Sequence, residues 1–270
     1  MADTPDISLL LLTVLVSAGA SVISGIAGGG SGFIIAPFFI LMGLHPALAT
    51  ATAKMNEVGV NISSVMAMRI IRRRAMATET GLVVAMPSSD RSDRQSFLAT
   101  LFVITMVNVS LAAWFIPRLQ AEGAQYIIGG LLLLMIPTLF LNKKMFKAGY
   151  RSKQWQKGGY ILYSIVSFFQ ALFGMGIGMF VSMVLMYMFG IPLIHANDLK
   201  RRLMMAQSVV LLILLLAQDA VAIHLGVAAL FGALVGAQLG TRIGVKKGHD
   251  FIKKIMAIVM FASAIALLVK

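Results

Sequence analysis

Long apolar stretches separated by short polar segments dominate this chain. An α-helical membrane span needs about 20 mostly apolar residues, and several of the stretches reach that length. They run from Ile7 to Ala27, Phe33 to Gly43, Ala47 to Ile70, Phe97 to Ile116, Tyr126 to Leu141, Tyr160 to Phe173, Met179 to Gly190, Ile194 to Leu216, Val221 to Leu239 and Phe251 to Val269. The pattern predicts an all-α integral membrane protein with about 8–10 membrane-embedded segments.

Two of the stretches, Phe33 to Gly43 and Met179 to Gly190, are too short to cross a bilayer. Each follows a cluster of glycines and precedes a turn marked by proline, at His45-Pro46 and at Ile191-Pro192. Glycine and proline interrupt helices, so these two segments are predicted to be short helices that are broken or re-entrant.

Composition narrows the function further. Apolar residues make up 59% of the chain and charged residues 12%, against about 45–50% and about 25% in an ordinary soluble domain. The connecting loops are too short for a soluble catalytic or nucleotide-hydrolysing domain. There is no cysteine, which excludes disulfides and thiolate metal sites, and no histidine group has metal-ligand spacing. We therefore predict a protein that is not an enzyme and has no metal or cofactor.

The net charge of +13 reflects a topological asymmetry. Of 23 Lys and Arg residues, 20 lie in four segments, namely 69–94, 143–157, 200–202 and 242–254. Cytoplasmic loops are rich in Lys and Arg, so these segments are placed inside and both termini outside the cytoplasm. This predicts a multi-pass protein of the inner (plasma) membrane with the lipid bilayer, and no nucleic acid, as its partner. The alternative is that the positive charge attracts anions to the mouth of a transport pathway.

The chain repeats itself approximately. A shift of 147 residues places Gly43 on Gly190 and Lys54 on Arg201. The first half, 1–147, begins outside and ends inside, whereas the second half, 148–270, begins inside and ends outside, so the halves are predicted to be inverted. Inverted repeats with broken helices are typical of secondary transporters, which hold their substrate where the breaks meet.

The glycine clusters are candidates for backbone contact with a bound anion, because a broken helix frees N–H groups and a helix-end dipole. The candidate residues are Gly28, Gly29, Gly30 and Ser31 in the first half, and Gly176 and Gly178 in the second. Close helix packing is the alternative. A nucleotide loop is excluded because the first cluster follows an apolar helix rather than a strand.

A polar stripe lies on the third stretch. Thr50, Lys54, Glu57, Asn61 and Ser64 recur at spacings of three and four, which places them on one helical face. An unpaired charge near the centre of a span costs at least about 2.5 kcal/mol. Lys54 and Asn61 are therefore predicted to bind substrate, with Glu57 as counter-ion or proton carrier; an internal Lys54–Glu57 pair that only fixes packing is the alternative.

The second half carries a comparable face with Asn197, Arg201 and Ser208. The guanidinium of Arg201 can hold two oxygens of one oxyanion, which a lysine point charge cannot. Asn197 and Arg201 are therefore substrate candidates, although Arg201 lies close enough to the cytoplasmic end to reach lipid phosphates. Asp198 is a counter-ion for any of the three neighbouring cations, Lys200, Arg201 and Arg202.

A late stretch carries glycine at every fourth position, at Gly232, Gly236, Gly240 and Gly244. Small residues at this spacing let helix backbones approach closely. The seam is predicted to join either the two halves or two protomers, in a homodimer through the Gly232-Gly236-Gly240 face.

In the order of its motifs, the chain resembles the sulfite exporter TauE/SafE family of membrane proteins. The resemblance rests on the glycine-rich break followed by Pro37, then Gly43-Leu44-His45-Pro46, Ala51-Thr52-Ala53-Lys54, arginines from Arg72 to Arg74, and Gly236-Ala237-Gln238-Leu239-Gly240. It departs from the family at Val184, which stands where the first copy has Pro37, and at Lys200-Arg201-Arg202. The resemblance implies export of small sulfur-containing anions, such as sulfite or organosulfonates, without an ATPase.

Together these observations predict a secondary transporter that works by alternating access around a central cationic site, with Glu57 as the first candidate for proton coupling. An anion channel and a transporter of another small organic anion are the alternatives. A lipid-modifying enzyme is disfavoured because no catalytic motif of that class occurs in the sequence.

Overall fold

The computed structural model describes residues 7–27, 31–76, 91–118, 153–174, 178–191 and 193–247, together with positions 261 and 265. Throughout these ranges the regular structure is helical, without a strand. The all-α prediction is thereby confirmed. The predicted segment at 126–141 lies outside the described residues, as does 251–269 apart from positions 261 and 265.

Four helices from each half of the sequence are described. Those of the first half are α1 (Ile7–Ala27), α2 (Gly32–Leu41), α3 (Pro46–Met76) and α4 (Arg91–Phe115), the last followed by a 3₁₀ turn, Ile116–Arg118. Those of the second half are α5 (Lys153–Phe173), α6 (Gly178–Phe189), α7 (Leu193–Leu216) and α8 (Ile223–Lys247). Both halves therefore follow the same order: a long helix, a short helix, then two long helices.

Four helices run beyond their apolar stretches. Helices α3 and α8 continue to Met76 and Lys247, whereas their apolar stretches end at Ile70 and Leu239. Helices α4 and α5 begin six and seven residues before their apolar stretches. Backbone hydrogen bonding does not require apolar side chains, so a helix continues past the membrane boundary until its caps end it. Polarity located the apolar part of each helix but not its end.

Three described helices are long and apolar enough to cross a membrane, over Ile7–Ile26, Gln95–Arg118 and Ile223–Ile243. Their outward faces carry large apolar side chains, such as Leu15 and Phe231, which are 69% and 60% exposed. A contiguous apolar surface of this kind is unfavourable in water and suits hydrocarbon.

The short helices α2 and α6 occupy the predicted positions. They contain 10 and 12 residues, which at 1.5 Å per residue is about 15–18 Å and roughly half the hydrocarbon thickness. Gly43 and Gly190, which follow them, have φ of +93° and +68°. This left-handed conformation is one that glycine adopts without strain, and the 147-residue shift matches these same two glycines.

The packing of the helices is also repeated. Helix α1 packs on α8, and α5 packs on α4; likewise α3 contacts α8, and α7 contacts α4. In both halves, therefore, the first and third helices pack against the fourth helix of the other half. Helices α3 and α7 also contact each other. Because α3 contacts both α7 and α8, residues of the two halves meet along this helix.

The glycine seam on α8 faces α1 of the same chain. A Cβ atom on Gly236 would lie 2.1 Å from the Ala18 carbonyl oxygen, and one on Gly240 would lie 2.0 Å from the Val22 carbonyl oxygen. The seam thus joins the two halves, one of the two alternatives left open by the sequence. The face considered for a homodimer, Gly232-Gly236-Gly240, is covered by α1 because only glycine permits so close a backbone approach.

Small polar side chains support this packing. Asn56 on α3 donates to the Ser17 hydroxyl at 2.6 Å and to the Ser21 hydroxyl at 3.1 Å, both on α1. Ser17 in turn donates to the Ala229 carbonyl of α8. All these side chains are buried, and hydrogen bonds between helices of this kind hold membrane bundles together where the hydrophobic effect is weak.

Candidate functional site

The polar stripe of α3 faces the interior of the protein. Thr50, Lys54, Glu57 and Ser64 are buried, and Asn61 is half-buried. Helices α1, α2, α7 and α8 all contact α3, which explains why side chains with polar ends find little solvent. This placement removes the charged groups from lipid, as their cost in hydrocarbon requires.

Lys54 and Glu57 form an ion pair. The Lys54 Nζ lies 2.9 Å from the Glu57 Oε2, and the two side chains are only 2% and 12% exposed. Their separation by three residues places them on neighbouring turns of one helical face. The pair compensates the charge of each partner, and a buried ammonium or carboxylate left alone would be strongly unfavourable.

A second donor reaches the same carboxylate from the other half of the sequence. Gln170, fully buried on α5, donates from its Nε2 to the Glu57 Oε1 at 3.2 Å. The same amide lies 3.4 Å from the carbonyl oxygen of Gly174. One amide therefore connects the carboxylate of α3 to the residue that follows α5.

Gly174 brings the second glycine break against the ion pair. Its φ is +65°, and a Cβ atom there would lie 2.2 Å from the Glu57 Oε2 and 2.8 Å from the Lys54 Nζ. No side chain fits in that space while the carboxylate occupies it. The absence of a side chain thus lets the backbone of one half approach the charges of the other.

The contact between α3 and α7 lies one helical turn further along. Asn61 donates to the Ser208 hydroxyl at 3.0 Å and lies 3.4 Å from the Met204 carbonyl oxygen. Asn61 and Ser208 are separated by 147 residues, the shift at which the sequence approximately repeats. Their contact lies where the two halves meet.

The cations of α7 differ from one another in their surroundings. Lys200 is buried, Arg201 half-buried and Arg202 exposed. Arg202 takes Asp198 as its partner at 2.8 Å, with the two side chains 68% and 51% exposed. Among the described residues, the buried Nε of Arg201 has no hydrogen-bond partner. The counter-ion that the sequence left open to any of three cations thus pairs with the outermost one.

A family model described as sulfite exporter TauE/SafE matches residues 11–267. The chain belongs to this family. No curated protein and no solved structure matches it. TauE/SafE proteins are membrane transporters of sulfur anions such as sulfite rather than enzymes, which agrees with the apolar helices that suit a bilayer.

Not every predicted site residue of this TauE/SafE chain can be placed. Gly28, Gly29, Gly30 and Gly176 lie outside the described residues, as does the side chain of Asn197. Ser31 is buried directly before α2, and Gly178 is buried as the first residue of α6. The residues brought together are thus Lys54, Glu57 and the second break, with Asn61 one turn away.

Sequence reasoning missed Gln170. It is the lone amide in the stretch from Tyr160 to Phe173 and stands four residues before Gly174, which was a usable signal. Its partner Glu57 is 113 residues away, so only the fold brings them into contact. In the described part of the chain, no group of His, Asp and Glu side chains is arranged to hold a metal ion.

Proposed function

We propose that this protein is a secondary transporter, acting as an exporter, of small sulfur-containing anions such as sulfite or organosulfonates. The observation that carries the proposal is the buried Lys54–Glu57 pair held against the glycine break of the other half at Gly174. Ionisable groups inside a membrane protein are costly and mark substrate or ion pathways. Here they meet a break, the usual location of a transporter's substrate site.

The charge balance of the repeat favours an anion. Lys54 corresponds to Arg201 under the 147-residue shift, but the position equivalent to Glu57 is Met204, which is buried. Lys54 is therefore neutralised by an acid of its own helix, whereas the acid one turn before Arg201, Asp198, is exposed and pairs with Arg202. A guanidinium without such a partner can bind two oxygens of a sulfite or sulfonate group.

Alternating access is proposed on the basis of the helix packing. The first and third helices of each half pack on the fourth helix of the other half, and Asn61 contacts its repeat equivalent Ser208. Two such halves, inverted in the membrane and with α2 and α6 as re-entrant helices, could rock about this contact and expose the site to each side in turn.

Proton coupling would operate through Glu57. Protonation would remove the negative charge that compensates Lys54, leaving the ammonium to take an anion in its place. Anion binding and proton binding would then be linked in one site. We place the protein in the inner (plasma) membrane with both termini outside the cytoplasm, in accordance with the positive-inside rule.

Counterflow into proteoliposomes tests the proposal. We expect saturable exchange of labelled sulfite that is inhibited by sulfoacetate or taurine and lost in Lys54→Ala. If Glu57 carries the coupling proton, Glu57→Gln retains counterflow but no longer accumulates substrate in response to a pH gradient. Counterflow of lactate alone would assign another organic anion, and conductance without saturable exchange in a planar bilayer would indicate a channel. Protein that binds no sulfur anion would overturn the substrate assignment.

A further inference from the structure

We infer that Lys54 and Gln170 form a two-donor site for a single oxyanion group, and that Glu57 occupies this site as a built-in competitor of the substrate. The inference rests on the proposed function and identifies a subsite within it. It adds a residue, Gln170, that neither the sequence motifs nor the family match assigns.

The geometry of the site is that of a bound oxyanion. The two oxygens of the Glu57 carboxylate are held by donors from different helices, Lys54 Nζ of α3 at 2.9 Å and Gln170 Nε2 of α5 at 3.2 Å. Both donor side chains are buried. Two convergent buried donors, one of them charged, are a typical arrangement for holding an anionic group in a fixed orientation.

The ligand class follows from these donors. Sulfite, sulfonates and carboxylates all present two oxygens on one central atom, so any of them can replace the carboxylate of Glu57. A single ammonium with a neutral amide compensates one negative charge, which favours a group that carries one charge. Gly174 leaves space for such a group because it has no Cβ to meet the Glu57 Oε2.

Glu57 and substrate cannot use both donors at once. Substrate must therefore displace the carboxylate, and the negative charge of Glu57 weakens the binding of any other anion at Lys54. A substitution that removes this charge should tighten substrate binding. A purely structural ion pair leads to the opposite expectation, because its loss disturbs the fold and provides no site.

Sulfite binding to the purified full-length protein in detergent, measured by titration calorimetry, tests the inference. We expect Glu57→Gln to bind sulfite about tenfold more tightly, since a charge-assisted hydrogen bond is equivalent to about a factor of ten in Kd. We expect Gln170→Met to weaken binding by a similar factor in the Glu57→Gln background, and by less in the wild type, where its loss weakens the competing carboxylate as well as the substrate.

Gln207→Met is the matched control. Gln207 is likewise a buried glutamine, but its amide faces the Ser167 carbonyl at 3.4 Å rather than the ion pair. The substitution removes the same kind of side-chain amide from the bundle, but at a position away from the ion pair. Its Kd for sulfite should equal that of the wild type, which separates the effect of the Gln170 donor from that of losing a buried amide.

A second variant covers the case in which Glu57→Gln does not fold, as judged by monodispersity and Tm. Glu57→Asp keeps the charge but its side chain is shorter by one methylene, which withdraws the carboxylate from the two donors, so it should bind sulfite more tightly than the wild type and less tightly than Glu57→Gln. Folded Glu57 variants that bind no tighter than the wild type, or a Glu57→Gln/Gln170→Met double variant that binds as Glu57→Gln does, overturn the inference. Failure of the proposed function can be distinguished from failure of this inference, because the wild-type protein would then show neither sulfite binding nor counterflow.

Discussion

Among individual residues, one difference between the repeats has the largest chemical consequence. Lys54 has its acid three residues later, at 2.9 Å, whereas the equivalent acid position in the second half is Met204. Asp198, one turn before Arg201 on the same helix, attracts its charge but is exposed and ion-paired with Arg202, so Arg201 is only partly compensated. A charge that is only partly compensated can take an anionic ligand, which makes Arg201 a candidate for anion contact in addition to the Lys54–Gln170 site.

The neighbouring arginines provide a matched test of this conclusion. Arg201→Gln should reduce sulfite counterflow at least about tenfold, because a charged two-point contact is lost. Arg202→Gln should leave counterflow within about twofold of the wild type, since the Arg202–Asp198 pair is exposed and such pairs contribute about 0–1 kcal/mol. Arg201→Lys keeps the positive charge but lacks the planar guanidinium, so it separates the contribution of the charge from that of the two-point contact.

Initial rates of labelled sulfite exchange, normalised to inserted protein, decide between these outcomes. Equal losses in Arg201→Gln and Arg202→Gln would assign the effect to the overall charge of this helix end. Full activity in Arg201→Gln would place the anion elsewhere.

Where helices end, glycine allows a backbone geometry and a close contact that other residues do not. Gly174 and Gly43 both have positive φ, at +65° and +93°. A Cβ at Gly174 would collide with Glu57 and Lys54, whereas one at Gly43 would meet nothing within 4 Å. The two positions thus separate the cost of backbone strain from the cost of intrusion into the ion pair.

We predict that Gly174→Ala abolishes sulfite counterflow and that Gly43→Ala retains it. Both should be destabilised by about 1–2 kcal/mol from the left-handed backbone alone, and the Tm of Gly174→Ala should fall further because its Cβ also collides with the ion pair. Exchange assays together with thermal unfolding in detergent provide the comparison. Equal transport in the two variants would show that the space beside the ion pair is dispensable.

The α1–α8 contact depends on missing side chains in a similar way. Gly236→Ala would place a methyl group 2.1 Å from the Ala18 carbonyl oxygen, which forces the helices apart. Overpacking of this kind costs about 1–3 kcal/mol, and a clash with backbone should lie near the upper end of that range. Gly19→Ala on α1 is the control, because a Cβ there meets nothing within 4 Å.

Thermal unfolding should show a lower Tm for Gly236→Ala and an unchanged or higher Tm for Gly19→Ala. Alanine in a helix interior is favoured over glycine by about 0.5–1 kcal/mol, which accounts for the expected sign at Gly19. A Gly236→Ala protein as stable as the wild type would contradict the close packing of α1 and α8.

For the whole molecule, the predicted orientation of the two halves in the membrane can be tested by chemical labelling. The chain contains no cysteine, so single cysteines can be introduced without first removing native ones. Ala2→Cys should react with a membrane-impermeant maleimide from outside intact cells, whereas Ser152→Cys, in the basic segment 143–157, should react only after lysis. Labelling of both from the same side would contradict the inversion of the two halves, because both halves would then begin on the same side of the membrane.

Much of the architecture could be read from the sequence. The apolar stretches predicted α1 and the short helices α2 and α6 to within one or two residues, because burial in lipid requires an unbroken apolar run. The ends of α3 and α8 were placed too early, since helical hydrogen bonds continue into polar sequence. The spacing of Lys54 and Glu57 likewise predicted their pairing, because neighbours on one helical face are fixed by local geometry.

The sequence by itself determined the membrane class, the order of long and short helices and the polar stripe of α3, since all of these depend on local periodicity and composition. Only the tertiary structure decided that Gln170 and Gly174 meet Glu57, that Asn61 contacts Ser208, and that the glycine seam is used within one chain. These contacts join positions more than 100 residues apart, and no local pattern encodes which surfaces of two distant helices will be complementary. That complementarity emerges when the helices pack, so the composition of the site is a property of the assembled bundle.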